Sequence, residues 1–147
     1  MSFFANADPC QVEQESDRIA KEVVLAFNED FSKVLSYYKT QNDQIYLLTH
    51  CPTLISKKIF ANLGFDGEYS IEIRDYLKTK TRPVNMDKHK ILMTIKKANP
   101  DTKIFYFADD LIDIKCLLAA DEGILINASI FTKVVSMLFF RRIKIWN

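Results

Sequence analysis

The chain has 147 residues, 48% of them hydrophobic and 27% charged, which is enough for one sizeable core and too few for two ordinary domains. A single domain over 1–147 is therefore expected, whole or as a fragment of a longer protein. Its 20 basic and 19 acidic residues leave a formal net charge of +1, so no global field steers it toward nucleic acid or an anionic membrane, and a local ligand is expected instead.

Short apolar runs alternate with longer runs of helical period, the pattern of βαβ units and of a parallel sheet. Phe3–Ala5 is a first strand candidate and Val23–Phe27 a second β-branched run. Asp30 then reads as an N-cap before Phe31, Val34, Leu35 and Tyr38 at helical spacing. Ile45–Leu48 is a buried strand, and Leu54, Ile55, Ile59, Phe60 and Leu63 form a helix stopped by Gly64. Tyr69–Ile73 is another strand. Asp87 caps a helix carrying Ile91, Leu92 and Ile95, which ends before Asn99-Pro100 because proline restricts the residue preceding it. Lys103–Phe107 and Gly123–Ile126 are the last strands, separated by a helix bearing Ile114, Leu117 and Leu118. The stretch Phe131–Trp146 reads as a closing amphipathic helix that covers the sheet, with a membrane-surface or partner-helix role as the alternative.

Right-handed crossovers put the carboxyl ends of such strands on one edge, where open α/β sheets bind ligands. Asn6 and Asp8 follow the first strand candidate, Thr49 follows Ile45–Leu48, and Asp109, Asp110 and Asp113 follow Lys103–Phe107, with Lys88 at a helix start between them. Carboxylates, a hydroxyl and a lysine on one edge are what phosphoryl transfer needs: Mg²⁺ takes one or two carboxylates plus phosphate oxygens, and Lys and Thr hold the remaining charge.

These residues resemble the motifs of the haloacid dehalogenase (HAD) superfamily of phosphohydrolases. Phe105-Tyr106-Phe107-Ala108-Asp109-Asp110-Leu111-Ile112-Asp113, followed by Ala119-Ala120-Asp121-Glu122-Gly123-Ile124, is similar to the fourth motif, an apolar strand, then GDDxxD, then a helix and an A-G-hydrophobic turn; Ala108 replaces the usual Gly. Tyr46-Leu47-Leu48-Thr49 matches the second motif, and Lys88, with Lys90 as a weaker candidate, matches the third. The first motif, DxDxT, is degenerate: in Asn6-Ala7-Asp8-Pro9-Cys10, Asn replaces the nucleophilic Asp, Pro the usual Gly and Cys the usual Thr. Asn28-Glu29-Asp30-Phe31-Ser32 is a rival, ranked second because it leaves too little chain before Thr49 for the family's β-hairpin flap; with Asn6 as motif one, Val23–Asn28 falls in that flap. The resemblance spans about residues 3–128 and is nearest the small capless members.

The resemblance implies an α/β fold of HAD-like, Rossmann-like type, three layers with a central parallel sheet. It also implies Mg²⁺ as cofactor, with Asn6, Asp8, Asp109, Asp110 and Asp113 as the metal set and Asn6, Asp8, Thr49 and Lys88 as the catalytic set. In an intact member the first Asp attacks phosphorus and the second protonates the leaving group and then activates water. Asp8 keeps the second role, whereas the neutral Asn6 amide cannot take the first. An introduced Asp-to-Asn change and a natural loss of catalysis both remain open. The expected partner is a phosphorylated small molecule or a phosphoprotein, without nucleic acid or membrane. The competing expectation is a catalytically inactive HAD-fold module that binds a phosphorylated ligand or a protein. A receiver-type domain is disfavoured because its acidic pair comes first, whereas the acidic cluster here comes late.

Simpler readings stand beside each of these. Asp110 or Asp113 can cap a helix, Thr49 can bond a neighbouring backbone group, and Lys88 can be a solvated helix start. Cys51 beside His50 offers a Cys-His nucleophile only against geometry, since adjacent side chains point apart. Cys10, Cys51 and Cys116 are odd in number with no CxxC pair, which predicts reduced thiols and a cytoplasmic setting. Met1–Cys10 lacks the features of a signal peptide, and Ile130–Phe140, interrupted by Thr132, Lys133 and Ser136, is too short to span a bilayer.

Overall fold

Val12, Ser16, Ile19, Ala20 and Val23 recur at helical spacing and line the inner side of an 18-residue helix, α1 (Pro9–Ala26). Pro9 suits the first helical position because its missing N–H would have no partner there. On the outer side Arg18 bridges Glu15 at 2.8 Å and Glu22 at 2.6 Å. In this computed structural model, residues 8–26, 29–71 and 86–146 are described. They form two compact units, Met1–Met86 and Asp87–Asn147.

In the first unit α1 is followed by α2 (Glu29–Thr40), β1 (Tyr46–Pro52), α3 (Thr53–Leu63) and β2 (Gly67–Ile71). β1 and β2 pair in parallel, with Tyr46 opposite Gly67 and Pro52 opposite Ile71, and the register is irregular between Leu48 and Pro52. Gly67 lies so near the Tyr46 ring that a Cβ would come within 2.6 Å of it. α1 packs on α3 through small and buried residues: Ser16 and Ala20 on one helix, Ser56 and Ile59 on the other. Lys58 crosses this contact to Glu13 and Asp17, each at 2.6 Å. α3 stops where expected, at Gly64, whose φ of 63° is the left-handed conformation glycine adopts at little cost.

The second unit runs α4 (Lys88–Ala98), β3 (Phe105–Ala108), a 3₁₀ turn (Leu111–Asp113), α5 (Ile114–Ala119), β4 (Glu122–Ile126), α6 (Ile130–Phe139) and β5 (Lys144–Trp146). Its three strands are parallel in the order β3-β4-β5. β4 is central and buried from Gly123 to Ile126, which explains its unbroken apolar run. Gly123 is required where β4 passes under α5, since a Cβ would lie 2.2 Å from the Leu117 carbonyl oxygen. Asp87 caps α4 by accepting from the Lys90 N–H at 3.0 Å, and the helix ends at Ala98, as Asn99-Pro100 predicts. At the other end of the strands Asp121 accepts from the Ile104 N–H at 2.9 Å and from Lys96 at 2.8 Å.

The architecture is thus mixed α/β with parallel strands, compatible with a Rossmann-like fold. Four expectations are corrected. The Val23–Phe27 strand and the hairpin flap drawn through it give way to α1, which runs to Ala26; the β-branched pair Val23-Val24 continues its half-buried face, so packing against α3 overrides strand propensity. Thr49 lies within β1 rather than after it, because β1 extends to Pro52 across the irregular register. The closing helix ends at Phe139, and Lys144–Trp146 joins the sheet beside β4. That helix also turns the other way from expectation: Thr132 and Ser136 are buried while Ile130, Phe131, Met137 and Leu138 are exposed. The Phe3–Ala5 strand, Asn6, Asn28 and the Ile73 end of the Tyr69–Ile73 strand lie outside the described residues.

Candidate functional site

The acidic loop after β3 and the first turn of α4 supply the most organised polar cluster of the second unit. β3 alternates its burial, with Tyr106 and Ala108 facing inward. An inward tyrosine hydroxyl needs a partner. It finds Asp113 on the 3₁₀ turn, donating to Oδ2 at 3.1 Å. The same oxygen accepts from Lys88 Nζ at 2.6 Å, and the Lys88 and Asp113 side chains are only 16% and 15% exposed. One carboxylate oxygen therefore fixes both a lysine from the start of α4 and a tyrosine from β3. Burial, reinforced by the negative charge of Asp113, pushes the Tyr106 hydroxyl far above the ordinary tyrosine range, so it acts only as a neutral donor. Cys116, on the buried side of α5, is also held protonated, chiefly by burial.

Asp109 and Asp110 stand exposed at the carboxyl end of β3, where sequence reasoning puts them. Of the residues named from sequence, the structure joins Lys88 and Asp113 directly, with Asp109 and Asp110 on the same loop. Lys90 is exposed on α4 and gives only its backbone N–H to Asp87. Sequence reasoning missed Tyr106 and Cys116 as members of the cluster. The available signal was the lone hydroxyl in Phe105-Tyr106-Phe107, at the inward position of an alternating strand.

The remaining named residues belong to the first unit. Asp8 is exposed, and its Oδ1 accepts from the Cys10 N–H at 3.0 Å, so it caps the start of α1. Thr49 Oγ1 accepts from the Cys51 N–H at 3.1 Å across the irregular part of β1, the local backbone bond that its simpler reading anticipates. His50 Nε2 lies 3.1 Å from the Met86 carbonyl oxygen, not on Cys51. Burial, then Glu68, raises the Cys51 thiol above its ordinary range, which leaves it poorly suited as a nucleophile. Among the described residues, no three His, Cys, Asp or Glu side chains gather as a metal-binding group. No described helix is long and apolar enough to cross a membrane.

No protein-family model matches the chain, and no curated protein matches it. A solved structure does: a crystal structure of a protein of unknown function from Bordetella pertussis Tohama I superposes with a TM-score of 0.68 at 11% identity, covering 96% of this chain and 68% of the Bordetella chain. At that identity the likeness concerns the fold alone.

Proposed function

We propose that the chain is a Mg²⁺-dependent phosphohydrolase of the HAD type, acting on a phosphomonoester, with turnover impaired because Asn6 stands at the nucleophile position. The observation that supports it most is the Lys88–Asp113 pair at 2.6 Å beside the exposed Asp109 and Asp110. A lysine from a helix start and the acidic loop of the β3 strand end meet there, as a common phosphate ligand would require.

The donor chemistry at this strand end fits a hard cation. Asp109 and Asp110 offer solvent-facing carboxylate oxygens, the ligand type Mg²⁺ prefers. In this reading they would hold the ion, the HAD resemblance alone adding Asp8 and Asn6 to the set, while Asp113, whose Oδ2 already serves Lys88 and Tyr106, aims the lysine. The bound ion supplies positive charge to the phosphate oxygens. Lys88 adds a second positive charge, and the HAD resemblance would give Thr49 the role of hydroxyl donor. A carboxylate at position 6 attacks phosphorus as the ester oxygen departs, and Asp8 protonates that oxygen and later deprotonates the water that cleaves the acyl phosphate. An amide at position 6 keeps the shape and loses the attack.

The second reading is a catalytically inactive HAD-fold module that binds a phosphorylated ligand or a protein partner. It is favoured by Asp8, whose carboxylate is engaged in capping α1 two residues past Asn6. One experiment separates the readings: phosphate release from p-nitrophenyl phosphate with Mg²⁺ by the parent, Asn6→Asp and Asn6→Asp/Asp8→Asn. The enzyme reading expects almost no turnover by the parent, recovery by on the order of a thousandfold or more in Asn6→Asp, and its loss in the double variant. A silent Asn6→Asp that still binds Mg²⁺ supports the inactive module. If Asp109→Ala binds Mg²⁺ as tightly as the parent, the metal-site assignment is wrong.

A further inference from the structure

Helix α6 presents its apolar side to solvent. With 100° between successive residues, Ile130, Phe131, Val134, Met137 and Leu138 fall on one arc about 120° wide. Phe131 is 78% and Leu138 67% exposed, and the other three are exposed as well. The opposite stripe, Thr132 and Ser136, is buried, with Ser136 at 0%. The Ser136 hydroxyl has no hydrogen-bond partner among the described residues, so α6 buries small polar residues and shows solvent its large apolar ones. Five adjoining apolar side chains make a patch of several hundred Å², the size that on a soluble protein marks an interaction surface.

The charge around the patch selects its occupant. From Asn127 to Asn147 the chain carries Lys133, Arg141, Arg142 and Lys144 and no acidic residue. Lys144 is paired with Glu122, and Arg141 and Arg142 are exposed just past the end of α6. A second copy docked through this face would bring two basic ends into one interface. It would also be small: α6 has 10 residues, a rod about 15 Å long, whereas a stable interface takes about 800 Å² from each partner. An anionic lipid surface meets both conditions, since it has no minimum footprint and its charge complements the arginines. We propose that α6 is a monotopic membrane contact, with Phe131, Val134, Met137 and Leu138 entering the boundary between headgroups and acyl chains and Arg141 and Arg142 resting on anionic headgroups.

Flotation of the full chain with phosphatidylcholine vesicles, with and without about 30% phosphatidylserine, tests this. The parent is expected to float with the mixed vesicles and much less with phosphatidylcholine alone, and raised salt should weaken binding. Phe131→Ser/Leu138→Ser should abolish flotation while the thermal transition is kept. Arg141→Gln/Arg142→Gln, on the exposed surface, should weaken it by about fivefold per arginine. The proposal is overturned if the parent floats with neither vesicle, or if the arginine variant floats as well as the parent. It is equally overturned if sedimentation velocity finds a dimer that Phe131→Ser/Leu138→Ser disperses, since a second copy then covers the face. Loss of the cooperative transition in that variant would show that the chain itself covers the face, and would also overturn it.

Discussion

Replacing Asp113 by Leu removes the one oxygen that holds both Lys88 and Tyr106 in the second unit. The Lys88 ammonium, 16% exposed, is left without its 2.6 Å partner, and the Tyr106 hydroxyl loses its 3.1 Å acceptor. Breaking a fully buried ion pair from one side costs about 3–5 kcal/mol, and an unsatisfied hydroxyl about 1 kcal/mol or more. Because water reaches both charged side chains to a small extent, the expected total is about 2–4 kcal/mol. Urea unfolding followed by the fluorescence of Trp146, the sole tryptophan and part of β5 in the same unit, should show the midpoint falling by about 1–2 M with the slope unchanged. The decisive comparison is Lys88→Met/Asp113→Leu. With both charges gone the desolvation penalty disappears too, so the double variant should be more stable than Asp113→Leu alone. A single variant within about 0.5 kcal/mol of the parent, or a double variant as unstable as the sum of the two singles, would refute the argument.

Gly123→Ala should destabilise the same unit by about 2 kcal/mol or more in thermal unfolding, because the new Cβ would sit 2.2 Å from backbone, the Leu117 carbonyl oxygen, which cannot swing aside. Asp121 is held below the usual carboxylate range by Lys96 and the Ile104 N–H, and Glu122 by Lys103 and Lys144. The folded carboxyls therefore stay charged to lower pH than the unfolded ones, so this contribution is complete above about pH 5 and is lost as pH falls through 4 and below; Asp121→Asn should flatten that acid limb, and an unchanged limb would contradict the assignment. Of the three thiols, exposed Cys10 should react with a disulfide reagent first, and Cys51 and buried Cys116, both raised by burial, should follow only slowly or on unfolding. Fast labelling of Cys116 in the folded protein would contradict its packing.

Where local signals were strong and agreed with packing, the sequence alone was sufficient. Gly64 ends α3 because only glycine takes φ of 63° there at little cost, and Asp87 starts α4 because its carboxylate meets an orphan N–H three residues on. The buried run of β4 and the acidic loop after β3 were legible for the same reason: one long apolar stretch and one charged cluster, each with a single economical placement. The Lys88–Asp113 contact was legible only as shared membership of a site, since the two are 25 residues apart. Tertiary packing decided the rest. Val23 and Val24 have strand propensity, yet the side of α1 that meets α3 needed apolar residues at that spacing. Lys144–Trp146 is too short for any period to register, and becomes a strand only through its ladder with Ile124–Ile126. The orientation of α6 was beyond sequence altogether: amphipathicity finds an apolar side, but which side is buried depends on contacts between residues far apart in the chain, and here the small Thr132 and Ser136 took the inner position.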